Sequence, residues 1–247
     1  MKFLNWKIWL SLSLIGLSVG IYLANYLIFR DAGYMFRLLL AQLGFLPLSV
    51  LLVTIIVNQL LAQRAKAAKL AKLNMVIGTF FSEVGTELLK MISAYDCRLG
   101  DLRQNLASLG QWSGGDFAGF PQRLANYQWE MDATAGDLHT LREFLAAKKN
   151  FLLRLLENPN LLEHESFSNL LLAVFHLSEE LSQRRDLKHL SPPDRDHLAV
   201  DLKRAYSRLL KEWLAYMGHL NRSYPYLFSL ALRTNPFDPE ASPEIKE

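Results

Sequence analysis

Hydrophobic and polar positions divide the chain into two parts. Two long runs without a charged residue come first, at residues 8–29 (IWLSLSLIGLSVGIYLANYLIF) and 38–61 (LLLAQLGFLPLSVLLVTIIVNQLL). As a helix, with about 1.5 Å per residue, each run is long enough to cross the hydrocarbon core of a membrane, which is roughly 30 Å thick. After residue 61, apolar residues recur every three or four positions, the period of a helix with one buried face. We therefore predict an all-α protein with an N-terminal two-helix transmembrane hairpin at residues 1–61, continuing into a cytoplasmic helical bundle at residues 62–233.

Charges around the two apolar runs predict the orientation in the membrane. Lys2 and Lys7 precede the first run, and a basic cluster follows the second. Because Lys and Arg accumulate on the cytoplasmic side, we expect both termini in the cytoplasm and the connector 30–37 outside, in a multi-pass protein of a bacterial inner (cytoplasmic) membrane. The first run is too long for the apolar region of a signal peptide. The basic cluster, which we expect to contact anionic lipid headgroups, is Arg64, Lys66, Lys69 and Lys72.

Regularly spaced small residues predict close helix approach in two places. Gly16, Gly20 and Ala24 recur every fourth residue in the first apolar run and form a stripe on which another helix can pack. The partner is either the second run of the same hairpin or a second copy of the chain in a homo-oligomer. Gly78 and Gly85 lie one heptad apart in a later helix. Since glycine is unfavourable inside a helix, this pair indicates close packing within the bundle or between subunits.

The periodic part of the chain predicts four helices, at about 70–109, 121–156, 159–186 and 191–220. A Gly-rich break at residues 110–119 separates the first two helices, and short turns separate the others. Helices joined by short turns pack antiparallel, so we predict an up-and-down four-helix bundle.

The C-terminal segment is apolar on nearly all sides of a short helix. Its aromatic and leucine residues either close the end of the bundle core or dock on lipid, on the base of the hairpin or on a partner protein. They are Tyr224, Tyr226, Leu227 and Phe228. Residues 234–247 contain three prolines, and we predict that this tail is disordered.

One stretch, LLAVFHLSEELSQRR at residues 171–185, places a histidine and two glutamates within a leucine-rich helix. With about 100° per residue and Val174 at the centre of the apolar face, His176 falls on the opposite, solvent-facing side. We interpret His176 and Glu180 as a surface pair four residues apart. The chain contains no Glu-x-x-His pair of the kind that helical di-iron bundles use. We therefore predict no metal site; His176, Glu180 and His164 are the weak candidates should one exist.

Composition and motifs exclude other chemistry. The net charge is only +3, with no whole-domain basic field that would indicate nucleic-acid binding. Cys97 is the single cysteine, which excludes an internal disulfide and fits a reducing compartment. The sequence contains no Gly-rich phosphate loop, no nucleophile elbow and no Cys-His pairing signature, so we predict neither an enzyme nor a cofactor.

These observations favour a membrane-anchored interaction, scaffold or regulatory protein. Its partners would be anionic lipids, an unidentified protein and a second copy of the chain. The alternative is a metal- or ligand-binding membrane sensor, or an unusual membrane enzyme, that uses histidines and glutamates of the bundle.

Overall fold

The computed structural model describes residues 2–162 and 164–244. The protein is 81% helix, with no strands in the described part, which confirms the predicted all-α class. The chain forms two compact units, one up to Ala67 and the other from Ala68 onward. Residues 245–247 of the predicted disordered tail lie outside the described residues.

The first unit contains helix α1 (Lys2–Phe29) and the first part of helix α2 (Ala32–Phe80). Only two residues connect them. Arg30 adopts a left-handed conformation with φ of 48°, and Asp31 caps α2 by accepting a hydrogen bond of 2.9 Å from the backbone N–H of Tyr34. Helix α2 begins at Ala32, six residues before the apolar run that starts at residue 38.

Two helices are long and apolar enough to span a membrane, Trp6–Phe29 and the stretch Ala32–Ser93, and neither is buried in its most apolar part. Within the first unit, the Tyr22 hydroxyl donates a hydrogen bond to Gln42. A β-carbon added at Gly16 or Gly20 would meet no atom within 4 Å. The second run therefore does not pack closely on Gly16 or Gly20, and packing between copies stays a prediction.

The second unit is built from the end of α2 and a series of further helices. These elements are a π-helical turn (Phe81–Gly85), α3 (Thr86–Ser93), α4 (Leu99–Ala107), a 3₁₀ turn (Leu109–Gln111), α5 (Gly114–Ala125), α6 (Leu138–Leu156), α7 (Pro159–Leu162), α8 (Glu165–Gln183), α9 (Pro192–Ser223) and α10 (Pro225–Arg233). Helix α8 packs against both α6 and α9, and α9 also contacts α3, α5 and α10. The apolar faces of these helices form one core.

The π-helical turn sits where two consecutive phenylalanines enter the core. Phe80 and Phe81 are both buried, although neighbouring positions on an ordinary helix point about 100° apart. The wider turn accommodates this, and a β-carbon at Gly85 would lie 2.4 Å from the Phe81 ring. Gly78 lies beneath Tyr216 of α9, whose hydroxyl would be 2.9 Å from an added β-carbon. Both glycines therefore serve packing inside this unit.

The first predicted bundle helix is interrupted at residues 94–98, where a continuous helix over 70–109 was expected. Asp96 accepts a hydrogen bond from the backbone N–H of Arg98, and its neighbour Cys97 donates its backbone N–H to the carbonyl of Glu130. These bonds replace the helical ones. The helix ends here because the Asp96 carboxylate bonds the nearby backbone and because the segment around Glu130, distant in sequence, bonds Cys97.

The prediction of one continuous helix over residues 121–156 is also wrong, because residues 126–137, between α5 and α6, form no helix. Asp132 accepts the backbone N–H of Thr134, and Asp137 caps the start of α6. Helix α5 begins inside the predicted glycine break, because Ser113 and Asp116 form a reciprocal capping box.

The C-terminal segment is only partly buried. Phe228 of α10 faces the core, whereas Tyr226 on the other side is 71% exposed. The following residues are ordered rather than disordered: the Asn235 side chain donates a hydrogen bond of 2.8 Å to the Leu106 carbonyl, and Phe237 is buried against Trp213. The Phe237 ring and the buried Asn235 amide attach this part of the tail to the core, although the tail contains prolines.

Candidate metal centre

Two neighbouring helices each present a histidine and a carboxylate four residues apart. Helix α8 carries His176 and Glu180, and helix α9 carries His197 and Asp201. Residues four apart lie on the same face of a helix. His176 lies near Asp201, and Glu180 lies near His197. The two helices are therefore antiparallel at this point, and the four side chains lie next to one another.

The distances between the side-chain atoms fit a shared ion. The Asp201 Oδ2 atom lies 3.4 Å from His176 Nε2 and 3.3 Å from His197 Nε2. The Glu180 carboxylate lies 3.8 Å from His176 Nε2 and 3.5 Å from His197 Nε2. Ligand atoms arranged as a tetrahedron around a zinc ion are separated by roughly 3.4 Å, given metal–ligand distances of about 2.1 Å. His176, Glu180 and Asp201 form the compact part of the group, within 4.8 Å of one another.

Asp201 forms the floor of the group. Its side chain is only 1% exposed, against 27% for Glu180, 46% for His176 and 53% for His197. The Oδ1 atom accepts a hydrogen bond from Arg204, but the buried Oδ2 atom that faces the two imidazoles has no hydrogen-bond partner. A buried carboxylate oxygen without a partner is unfavourable. An ion bound between the helices would satisfy it.

Arg184 holds the glutamate of this group in place. Its guanidinium donates to Glu180 Oε2 at 2.7 Å and makes a bidentate pair with Asp194 at the start of α9. The hydrogen bond from Arg184 lowers the pKa of Glu180 and that of Asp194 below their ordinary values. The hydrogen bond to Asp194, together with that to Glu180, raises the pKa of Arg184. Glu180 is therefore ionised at neutral pH and ready to act as an oxygen ligand.

The donor atoms indicate the class of ion. One imidazole nitrogen with two carboxylates suits Zn²⁺ and other first-row divalent ions, and the neighbouring His197 offers a further nitrogen. Ca²⁺ and Mg²⁺ instead prefer oxygen ligands throughout. Within the described part of the chain, His176, Glu180 and Asp201 are the one group of three or more histidine, cysteine or acidic side chains whose ligand atoms converge in this way. The group can therefore hold a divalent metal ion on the half-exposed side of α8 and α9.

The structure brings together two of the three predicted candidates. His176 and Glu180 belong to the group, and His176 is exposed, as the helical wheel predicts. His164 does not join them. It precedes α8, where its Nδ1 atom accepts a hydrogen bond from the backbone N–H of Phe167. Its function there is to cap the helix.

His197 and Asp201 are absent from the residues predicted above to hold a metal. A signal for them exists, since the His-x-x-x-acid spacing of His176 and Glu180 recurs in the next helix. That spacing is common on helix surfaces, however. His139 and Glu143 of α6 repeat it at 3.5 Å, with both side chains more than half exposed.

Other predicted site residues lie apart from this group. Tyr226 and Leu227 expose apolar surface, and Phe228 is buried. The residues predicted to contact lipid headgroups are all exposed; they are Arg64, Lys66, Lys69 and Lys72.

Comparison with known proteins identifies relatives of the whole chain. The family model for the uncharacterized protein MJ1433, N-terminal helical domain, matches residues 1–61, and the model for its C-terminal helical domain matches residues 69–233. The protein of that name from Methanocaldococcus jannaschii is 46% identical over 229 residues, which cover 93% of this chain and 92% of the relative. This relative is archaeal and gives no support to the expected bacterial source. No solved structure matches the chain. The chain belongs to the MJ1433 family and matches both its N-terminal and its C-terminal helical domain.

Proposed function

We propose that the protein is a membrane-anchored metal-binding protein, in which a divalent ion joins α8 to α9. The observation that carries the proposal is the convergence of His176, Glu180 and Asp201, with the His197 imidazole 3.3 Å from the buried Asp201 Oδ2 atom, which has no hydrogen-bond partner. Zn²⁺ is the favoured ion because of its preference for mixed nitrogen and oxygen ligands. The proposal assigns no catalytic step to the centre.

Membrane anchoring is supported by the two apolar helices of the first unit. Large apolar side chains along them are exposed to the surroundings, for example Leu17 at 61% and Leu52 at 58%. Exposed apolar area of this extent is unfavourable in water, and a lipid bilayer would cover it. The flanking lysines and arginines support cytoplasmic termini, which would place the metal centre in the cytoplasm.

An interaction role is compatible with metal binding and is supported by the exposed face of α10. Tyr226, Leu227 and Leu230 leave apolar area in contact with solvent, next to the exposed Met75 of α2. On this proposal a metal ion fixes α8 against α9, and α9 in turn supports α10. Metal binding would thereby regulate a surface that meets lipid or a protein partner.

Metal binding can be tested on the full-length protein in mild detergent. Isothermal titration with Zn²⁺ should give one site per chain, and Asp201→Asn should weaken binding by at least about tenfold, since a charged carboxylate ligand becomes a neutral amide. His176→Ala should do the same. The matched control is His139→Ala, which removes the histidine of the exposed pair in α6 that has the same spacing.

Equal affinity for Zn²⁺ in the Asp201→Asn variant and the unchanged protein would refute the proposed centre. An equal loss of Zn²⁺ affinity in the His139→Ala control would also refute it. Zn²⁺ would then bind to exposed histidines in general and not to the proposed centre.

A further inference from the structure

Glu212 of α9 is an acidic residue in a largely buried position. Its residue exposure is 6%, and the described part of the chain offers it neither a hydrogen bond nor an ion pair. Asp96 is equally buried, but it accepts hydrogen bonds from the Tyr127 hydroxyl and from the backbone N–H of Arg98. The carboxylate oxygens of Glu212 are not fully buried, so a cation from outside the chain can reach them and pair with them.

The Glu212 side chain lines a cavity of about 420 Å³ between α2, α5 and α9. Cavities of this size hold small organic molecules. Two aromatic rings form part of its wall: Phe117 from α5 and Tyr216 from α9. The Tyr216 ring is held in place by stacking on Phe81, with ring centroids 5.3 Å apart. The cavity thus combines a carboxylate with fixed aromatic faces.

This combination indicates the chemistry of a ligand. A carboxylate binds a protonated amine through charge-assisted hydrogen bonds, and aromatic faces attract the same cation through their electrons. Asn74 supplies an amide at the same cavity. Lys211 and Arg222 also line it and are exposed. Their positive charges disfavour a ligand with several cationic groups, such as a polyamine.

We propose that this cavity binds a small organic molecule with a single protonated amine, which pairs with Glu212 and packs against Phe117 and Tyr216. The site is separate from the metal centre in its residues and does not depend on metal binding. No residue of the cavity belongs to the group around Asp201.

The test is isothermal titration of the full-length protein in detergent with two amines of different size, benzylamine and methylamine. Benzyl alcohol is the uncharged counterpart of benzylamine. We expect at least one of the amines to bind, with Glu212→Gln weakening it by at least about tenfold because the charge-assisted hydrogen bonds are lost. Glu143→Gln, at an exposed glutamate of α6, is the matched control and should bind as the unchanged protein does.

Thermal unfolding followed by circular dichroism checks that Glu212→Gln remains folded. Binding of neither amine would overturn the proposal and leave a water-filled cavity. Equal binding of benzyl alcohol and benzylamine, or unchanged amine affinity in a folded Glu212→Gln variant, would also overturn it.

Discussion

Gly136, in the loop before α6, shows how a single residue determines the packing of an irregular segment. A β-carbon at this position would lie 2.6 Å from the Tyr95 ring, and Tyr95 is itself buried. The ring belongs to the core and is enclosed by it, so it cannot move aside without displacing its neighbours. The loop that replaces the middle of a predicted helix therefore depends on the absence of a side chain here.

We predict that Gly136→Ala lowers the free energy of unfolding by about 1–3 kcal/mol, because the added methyl overpacks a filled site. Denaturant unfolding followed by circular dichroism measures the change. The control is Gly119→Ala in α5, where an added β-carbon meets nothing within 4 Å and stability should stay equal or rise by up to about 1 kcal/mol. A Gly136→Ala variant as stable as this control would contradict the close contact.

At the scale of elements, Arg184 joins the end of α8 to the start of α9. It is only 16% exposed and contacts both Glu180 and Asp194. The pKa of each carboxyl is lowered in the folded protein from its ordinary value of 4.5 or 3.8, respectively. Both carboxylates therefore contribute stability that is complete above about pH 5 and lost as the pH falls through the folded-state pKa values.

We predict that Arg184→Gln lowers the free energy of unfolding by about 1–2 kcal/mol at pH 7 in the presence of a chelator. This difference from the unchanged protein should shrink as the pH falls from 5 toward 3, since the carboxylates become protonated in both proteins. Denaturant unfolding at several pH values measures it. Arg185→Gln, at the exposed neighbouring arginine, should show little change at any pH. A difference for Arg184→Gln that does not depend on pH would refute the role of the ion pairs.

At the scale of the whole molecule, Cys97 provides a test of the membrane topology. It is the single cysteine of the chain, and its side chain is exposed between α3 and α4. Under the proposed topology Cys97 lies in the cytoplasm, and the connection between α1 and α2 lies outside. A reagent that cannot cross the membrane should distinguish these two locations.

We predict that a membrane-impermeant maleimide does not label Cys97 in intact cells and labels it fully in inverted membrane vesicles. In a Cys97→Ser chain, the variant Ala32→Cys at the start of α2 should show the opposite pattern. Labelling of Cys97 from outside would reverse the proposed orientation. Loss of the protein from membranes on alkaline carbonate washing would refute the anchoring itself.

Local patterns in the sequence predicted much of the helical structure. The apolar runs correspond to α1 and to the first part of α2, and the helix predicted from residue 191 corresponds to α9, which begins at Pro192. The wheel around Val174 also predicts an exposed His176. Periodicity succeeds here because the exposed and buried faces of one helix follow from its own residues.

The tertiary structure decided where helices stop and which side chains meet. The break after Ser93 and the loop before α6 depend on hydrogen bonds between segments more than 30 residues apart, which no local pattern contains. The sequence by itself determined that His176 and Glu180 share the outer face of one helix and that His197 and Asp201 share a face of the next. Only the antiparallel register of α8 on α9 brings these pairs together, because the packing of the core sets the relative position of the two helices.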